Sequence, residues 1–401
     1  MSAVAERLGK RRFVLPTLAA LLLGCVLSLV FYPMTHMEPR DLPFAVLNLD
    51  EGATAPTGEV NAGQQMVQGL VNAPNEAIEW TIVDSQAELD AAMENNEYYG
   101  AVVIPADFTV KQLEAAGGGG AASVQVLIDN AKSPLVATQM SASIPSLFGE
   151  QGIEAQVQVL HAGASTANTN PLLSQQLAVM PLVMLSLVAS VIVAFIVAPV
   201  KGTVGAERRR QVAVQLATLL VTSAVIGLTV WVIVTAVGGF SLSAAGIVFF
   251  WLASAAIMTL LVGAFDILVL LGVLVALCLF ALGMPCGALP VEMMPSFWQS
   301  WVYPWAPQHF IGNGLRDIAY VGAGAWPSGA TQLAVICCVG LALLVAAAFM
   351  SRGERNADGA ASEGNGAVVE RNGTASGDNG AVSERIHEQA LAAESGQAFD
   401  A

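Results

Sequence analysis

The sequence predicts a polytopic α-helical membrane protein of six transmembrane helices, with an extracytoplasmic α/β domain inserted between the first and the second. Three observations carry this. The chain is 55% hydrophobic and only 12% charged, whereas soluble domains carry about 25% charged residues. Its apolar residues gather into runs of about 20, long enough to cross a bilayer at about 1.5 Å per residue. Its acids concentrate instead in residues 33–176, which hold seventeen acids and only Arg40, Lys111 and Lys132 as bases. The formal charge of −15 thus arises there and in the tail after Met350.

Residues 1–12 carry Arg7, Lys10, Arg11 and Arg12, and the apolar run Phe13–Tyr32 follows. That run is longer than a signal peptide's apolar core, and FYPMTHM offers no small-x-small cleavage site, so it reads as an uncleaved first helix. Lys and Arg are costly to translocate, so its basic end stays in the cytoplasm. Residue 33 onward then lies outside.

Residues 41–130 alternate between periods. Leu42–Leu49, Ala77–Val83, Tyr99–Ile104 and Val124–Asp129 read as strands, and Gly58–Asn72, Ser85–Asn95 and Asp107–Ala116 as helices. Ser85 with Glu88 three residues on forms a capping box. Pro105 ends the third strand, and Gly117–Gly120 is a flexible break. Strands alternating with helices imply a mostly parallel sheet. After Pro134, ATQMSASIPSLF and EQGIEAQVQVLHAG read as helices that return the chain to the membrane, with Ser165–Asn170 as a polar join. The region contains no cysteine, so it folds without disulfides, as a domain of this size can.

The membrane domain, residues 177–350, reads as the spans Leu177–Val200, Val212–Val237, Ala244–Phe265, Ile267–Pro285 and Leu333–Met350. A very tight turn around Gly263–Asp266 joins the third and fourth. An outer hairpin, residues 286–329, is too polar and Pro-rich to span. Its Trp298, Trp301, Tyr303, Trp305 and Trp326 suit the headgroup level, in short helices broken by Pro304 and Pro307. Both termini then lie in the cytoplasm, as does the loop KGTVGAERRR, Lys201–Arg210. The basic residues agree: the N-terminal four, Lys201, Arg208, Arg209, Arg210, Arg352, Arg355, Arg371 and Arg385 all fall on the cytoplasmic side. Only Arg40, Lys111, Lys132 and Arg316 fall outside. The Gly-, Ala- and Glu-rich tail 351–401 reads as disordered.

No catalytic or cofactor constellation is visible. His36, His161, His309 and His387 lie far apart without ligand spacing, and no GxxxxGK[ST] phosphate loop is present. The acidic balance excludes nucleic acid, which needs clustered Lys and Arg. Thr218, Thr222, Ser223 and Thr229 are too sparse for an ion path and read as packing groups. Asp266 is expected in water, in the cytoplasmic turn; the other reading is a buried acid with a proton or ion role, for which the neighbouring spans show no partner acid, Lys or Arg. The spans offer no paired polar residues for an intramembrane enzyme.

Two segments resemble a known family. VLNLDEGA at 46–53 is similar to the "VNxDxG" start of the outer domain in the YhgE/phage-infection-protein family, through Asn48, Asp50 and Gly52. YYGAVVIPADFT at 98–109 resembles that family's "yyaxxxIPxdFS" segment, through Tyr99, Ile104, Pro105 and Phe108. PxxWxxWxYP…GLRD at 295–317 is similar to its outer hairpin, through Gly314 and Arg316. One span, an outer domain and five further spans resemble a type 2 ABC transporter permease. The resemblance implies a bacterial cell-membrane export permease, with no cofactor of its own. Its partners would be a separate ATP-binding subunit, a second permease copy or paralogue, and membrane lipid. Lys201, Glu207, Arg208, Arg209 and Arg210 would form the loop that docks the ATPase. The other reading is a surface receptor or secretion-accessory protein whose spans only anchor the outer domain.

Overall fold

The computed structural model describes residues 2–55, 58–74, 76–161, 171–200, 203 and 205–349. Lys201 and the tail 351–401 lie outside the described residues, as does the join Ser165–Asn170. A long helix α1 (Ser2–Thr35) leads into the α/β domain. There the order is β1 (Leu42–Asn48), β2 (Ala53–Ala55), β3 (Gly58–Val60), α2 (Ala62–Asn72), β4 (Ile78–Val83), α3 (Gln86–Glu94), β5 (Gly100–Ile104), α4 (Phe108–Ala116), β6 (Ser123–Asp129), α5 (Pro134–Gly149) and β7 (Glu154–Leu160).

The main sheet runs β4-β1-β5-β6-β7. β1 is parallel to both neighbours, β5–β6 is antiparallel, and β6–β7 is parallel. A buried parallel sheet needs cover on both faces, and the period of two in β1 supplies it. Leu42, Phe44 and Val46 face a core built with Val67 of α2, Phe108 of α4, and Val136 and Ile144 of α5. Ala45 and Leu47 face the other way, onto Leu89 and Met93 of α3. Local chemistry starts the helices. Ser85 accepts from the Glu88 N–H at 3.2 Å, while the Glu88 carboxylate reaches the Asp84 N–H at 3.3 Å. Ser133 caps α5, with Pro134 in its first turn, where no N–H is needed.

Two features depart from the sequence expectation. EAQVQVL, expected as helix, is β7, paired with β6 along its whole length. Gly152, at φ +72, turns the chain into it, and its alternating Ala155 and Val157 pack on the sheet. The β2–β3 hairpin occupies the start of what reads as the first helix, so α2 begins only after its cap, Asn61.

The helical part comprises α6 (Pro171–Ile196), α7 (Gly205–Val232, extended by a π-turn Ile233–Val237), α8 (Ala245–Ile267), α9 (Val269–Ala281), α10 (Pro307–Arg316) and α11 (Ala330–Phe349). Among the described residues four helices are long and apolar enough to cross a membrane, within α6, α7 with its π-turn, α8 and α11. Ala20–Thr35 of α1 and all of α9 are shorter apolar helices. Of the expected span Ile267–Pro285, the helix itself covers only Val269–Ala281. Its 13-residue helix rises about 20 Å, short of a hydrocarbon core of about 30 Å. Extended Leu268 starts it, and a 3-10 turn, Met284–Gly287 with Pro285, follows its end.

α8 is the hub. Its most apolar window is 67% buried, against 39% in α6, 28% in α7 and 22% in α11. α11 approaches it backbone to backbone. A Cβ on Gly340 would run into the Leu260 backbone nitrogen, so no other residue fits there. Ser186 and Ser254 hydroxyls meet at 2.9 Å between α6 and α8, and Trp251 Nε1 donates to Ser223 of α7 at 3.1 Å. Thr218, Thr222 and Thr229 donate to carbonyls of their own helix. Small residues and such bonds are what bind helices in lipid, where apolar burial between helices offers little drive.

The turn around Gly263–Asp266 is also corrected: α8 continues through it, and Leu268 alone breaks the helix. Asp266 is not in water. It is 8% exposed and accepts from Gln215 Nε2 of α7 at 3.3 Å. The segment between α9 and α11 forms short helices, as expected, including π-turns at Trp298–Val302 and Asp317–Val321. α10, however, is mostly buried and packs on α6 and α8 rather than lying open. Its Gln308 donates to the Leu279 carbonyl at 2.7 Å, satisfying an acceptor in the last turn of α9.

Candidate functional site

At the start of α7 the basic cluster divides. Glu207, Arg209 and Arg210 are exposed. Arg208 is 5% exposed, and its Nε donates to the Ala347 carbonyl at 2.8 Å, in the last turn of α11. A cation there also complements the negative end of the helix dipole. Arg208 thus links the start of α7 to the end of α11. The helical period explains the split: Arg208 shares its face with buried Val212, Gln215 and Leu219. Gln211 ties the preceding chain down, accepting from the Val200 N–H at 2.9 Å and donating to Glu207 at 3.1 Å.

The two segments that carry the family resemblance meet at one point, beyond the carboxyl ends of β1 and β5. They zip together: Leu49 N–H donates to the Ile104 carbonyl at 3.0 Å and Glu51 N–H to the Ala106 carbonyl at 3.2 Å. Asp50 is the centre. Its Oδ1 accepts from the Thr109 N–H at 3.0 Å, and its Oδ2 from the Gly63 N–H at 3.0 Å and the Thr109 hydroxyl. Those N–H groups belong to the first turns of α4 and α2, where partial positive charge favours an anion. Burial pushes the Asp50 carboxyl up, but the bonds from Thr109, Gly63 and Gly52 outweigh it and hold the group below its ordinary value.

The other motif residues brace this centre. Asn48 Oδ1 accepts from the Asp50 N–H at 3.1 Å. Gly52, at φ +75, turns where a Cβ would meet the Val60 carbonyl at 2.9 Å. The Pro105 carbonyl accepts from Phe108 N–H at 3.1 Å, and the Phe108 ring is buried in the core. In open α/β folds this end of the sheet is where anionic ligands bind. Here the chain's own carboxylate fills that position.

A third cluster joins the α/β domain to the segment between α9 and α10. Tyr99, 4% exposed, donates its hydroxyl to Glu292 Oε2 at 2.6 Å. The Glu292 carbonyl accepts from Arg40 N–H at 3.1 Å, and Met293 is buried in the sheet core. Lys132 Nζ sits 4.8 Å above the Tyr99 ring and donates to the Asn96 and Glu97 carbonyls. Burial, then the Glu292 charge, push the Tyr99 phenol well above its ordinary value, with Arg316 opposing. Arg316 donates to Asn313, and Gly314 lies under the Phe249 ring of α8. The structure thus brings Tyr99 and Arg316 into one electrostatic neighbourhood, although they lie far apart in sequence. Glu292, Lys132 and Gly63 complete these sites without any local sequence signal that marks them, while Thr109 closes the 98–109 segment at the position where the family motif has Ser. Among the described residues no group of three or more His, Cys, Asp or Glu gathers as a metal set.

A family model described as ABC-2 family transporter protein matches residues 11–349. The chain belongs to that family. The matched range spans most of α1, the α/β domain and the helical bundle. With its apolar helices, the family makes this a multi-pass membrane protein and a transporter component rather than an enzyme. ABC-2 permeases normally work with an ATP-binding subunit. The receptor or secretion-accessory reading is not favoured. No curated protein and no solved structure matches the chain.

Proposed function

We propose that the chain is the permease subunit of an ABC-2 exporter that moves a hydrophobic or amphipathic substrate with energy from a separate ATP-binding subunit. The family match across residues 11–349 carries this reading. The packing supports the substrate class. The helices around α8 meet through glycines, serines and apolar side chains, whereas an ion path needs a lined series of polar groups. In this reading α1 and α9 complete the set of six membrane helices. The α/β domain lies outside the cytoplasm, and both termini lie inside. Val46–Ala53 and Tyr98–Thr109 align the chain with the YhgE/phage-infection-protein branch of bacterial cell-membrane proteins. A second copy or a paralogue completes the pathway.

Docking of the ATP-binding subunit falls to the exposed Glu207, Arg209 and Arg210, with Lys201 a few residues before them in sequence. The α/β domain is coupled to the bundle through Tyr99–Glu292 and the buried Met293, so movement of the α9–α10 segment carries to the sheet. Affinity purification of the full chain from its native membranes tests the reading. An ATP-binding subunit should co-purify, and its ATPase rate should rise with an amphipathic substrate. A chain that purifies without such a subunit under several mild detergents sinks the proposal.

A further inference from the structure

A cleft of about 250 Å³ lies at the C-terminal end of α1, lined by Tyr32, His36, Glu38, Arg40, Pro295 and Ser296. That is smaller than the roughly 300–1,000 Å³ of drug-sized sites and suits one small polar group. Its position is set by α1. Ala20–Thr35 is apolar, and Leu27, Leu29 and Phe31 in its last turns are exposed. In a membrane protein, such a helix end meets the lipid headgroups. Phe297 and Trp301, at 51% and 72% exposure, are close in sequence to the cleft's other wall, and exposed aromatic residues favour that same level.

The polar groups of the cleft are already held in place. His36 stacks on Tyr32 with ring centroids 4.2 Å apart. Its Nδ1 lies 3.0 Å from the Tyr32 carbonyl and 3.0 Å from the Thr35 hydroxyl, which leaves Nε2 for a ligand. The Arg40 backbone is tied to the Glu292 carbonyl at 3.1 Å. Its guanidinium meets Glu38 at 2.6 Å, yet the two side chains stay 56% and 68% exposed, so the pair is open to a third group.

The charges select the ligand. An anion alone would meet Glu38, and a cation alone would meet Arg40. A zwitterion satisfies both. We propose that this cleft binds the headgroup of a zwitterionic phospholipid. The phosphodiester takes the remaining donors of the Arg40 fork and the His36 ring. The ammonium takes the Glu38 carboxylate. The acyl chains lie along the exposed leucines of α1. This rests on the chain's being a membrane protein and is independent of what the permease moves.

The test is native mass spectrometry of the full chain in detergent, titrated with phosphatidylethanolamine, phosphatidylglycerol or soluble phosphoethanolamine. Phosphatidylethanolamine should bind at about fivefold lower concentration than phosphatidylglycerol, and Arg40→Ala should weaken it by about fivefold, as loss of one exposed charge-assisted contact implies. Glu38→Gln should reverse the preference toward phosphatidylglycerol. Melting temperatures should stay unchanged, since both side chains are mostly exposed. Equal binding of the two lipids, or an Arg40→Ala variant with undiminished phosphatidylethanolamine binding, overturns the proposal. Competition by phosphoethanolamine at the lipid's own concentration also overturns it, because the ligand would then be a free phosphate and not a lipid.

Discussion

In the α/β domain Leu42, Phe44 and Ile128 have no exposure at all, and the surface is acidic. In the helical bundle Ile196 and Leu270 are 78% and 72% exposed, while Ser186, Ser254 and Gln215 have none. One chain therefore holds two packings of opposite sense. Water drives the first by expelling apolar surface. Lipid accepts apolar surface, so the second depends on close backbone approach and a few internal hydrogen bonds. An exposed leucine marks an edge in one region and the ordinary surface in the other.

That contrast can be broken by mutation. Phe44→Ala removes a buried ring of the sheet and should cost about 3–5 kcal/mol, read as lost hydrogen-exchange protection of the β1 and β5 amides in the full chain. Gly340→Val inserts a side chain where α11 touches α8, and should cost about 1–3 kcal/mol through overpacking, read as a lower melting temperature in detergent. The neighbouring Val339→Ala, on a face that is 49% exposed, should stay within about 0.5 kcal/mol. If the two substitutions in α11 cost the same, the bundle is not held by backbone contact.

Asp50 sharpens the comparison with pH. Its folded carboxyl titrates below the ordinary value, which is about 3.9 for Asp. The stability it contributes is thus fully present above that ordinary value and is lost as pH falls through the lowered one. Asp50→Asn should destabilise the α/β domain by about 1–3 kcal/mol at pH 7. The gap from the native chain should close on acidification, as chemical denaturation across a pH series would show. A gap that does not change with pH would remove the carboxylate from the account.

The sequence made the two regions legible to different degrees. Short apolar runs located β1, β5 and β6, and an alternating run β4, within a residue or two, because a sheet covered on both faces buries nearly every residue of its central strands. β7 escapes this reading although Gln156 and Gln158 alternate with Ala155, Val157 and Val159, because the polar, Gln-rich stretch reads as a continuation of the preceding helix. In the bundle, hydropathy located the helices but not their ends: Leu268 breaks a run that is apolar on both sides of it save for Asp266. Burial of Arg208 was implicit in its period with Val212 and Gln215, but its partner, the Ala347 carbonyl, is a backbone group that no residue type announces. Asp50 shows the same limit. Its motif and the one that ends at Thr109 were both legible, while Gly63, and the meeting of the two motifs, come only through the fold.

The difference between Arg208 and its two neighbours bears most directly on the transport account. The measurement is the amount of ATP-binding subunit retained per chain after purification from native membranes, for the native chain and for Arg209→Glu with Arg210→Glu. Both side chains are exposed, so the double variant should keep its melting temperature while losing most of the subunit. Full retention of the subunit by that variant, with the native melting temperature, would contradict docking at the start of α7.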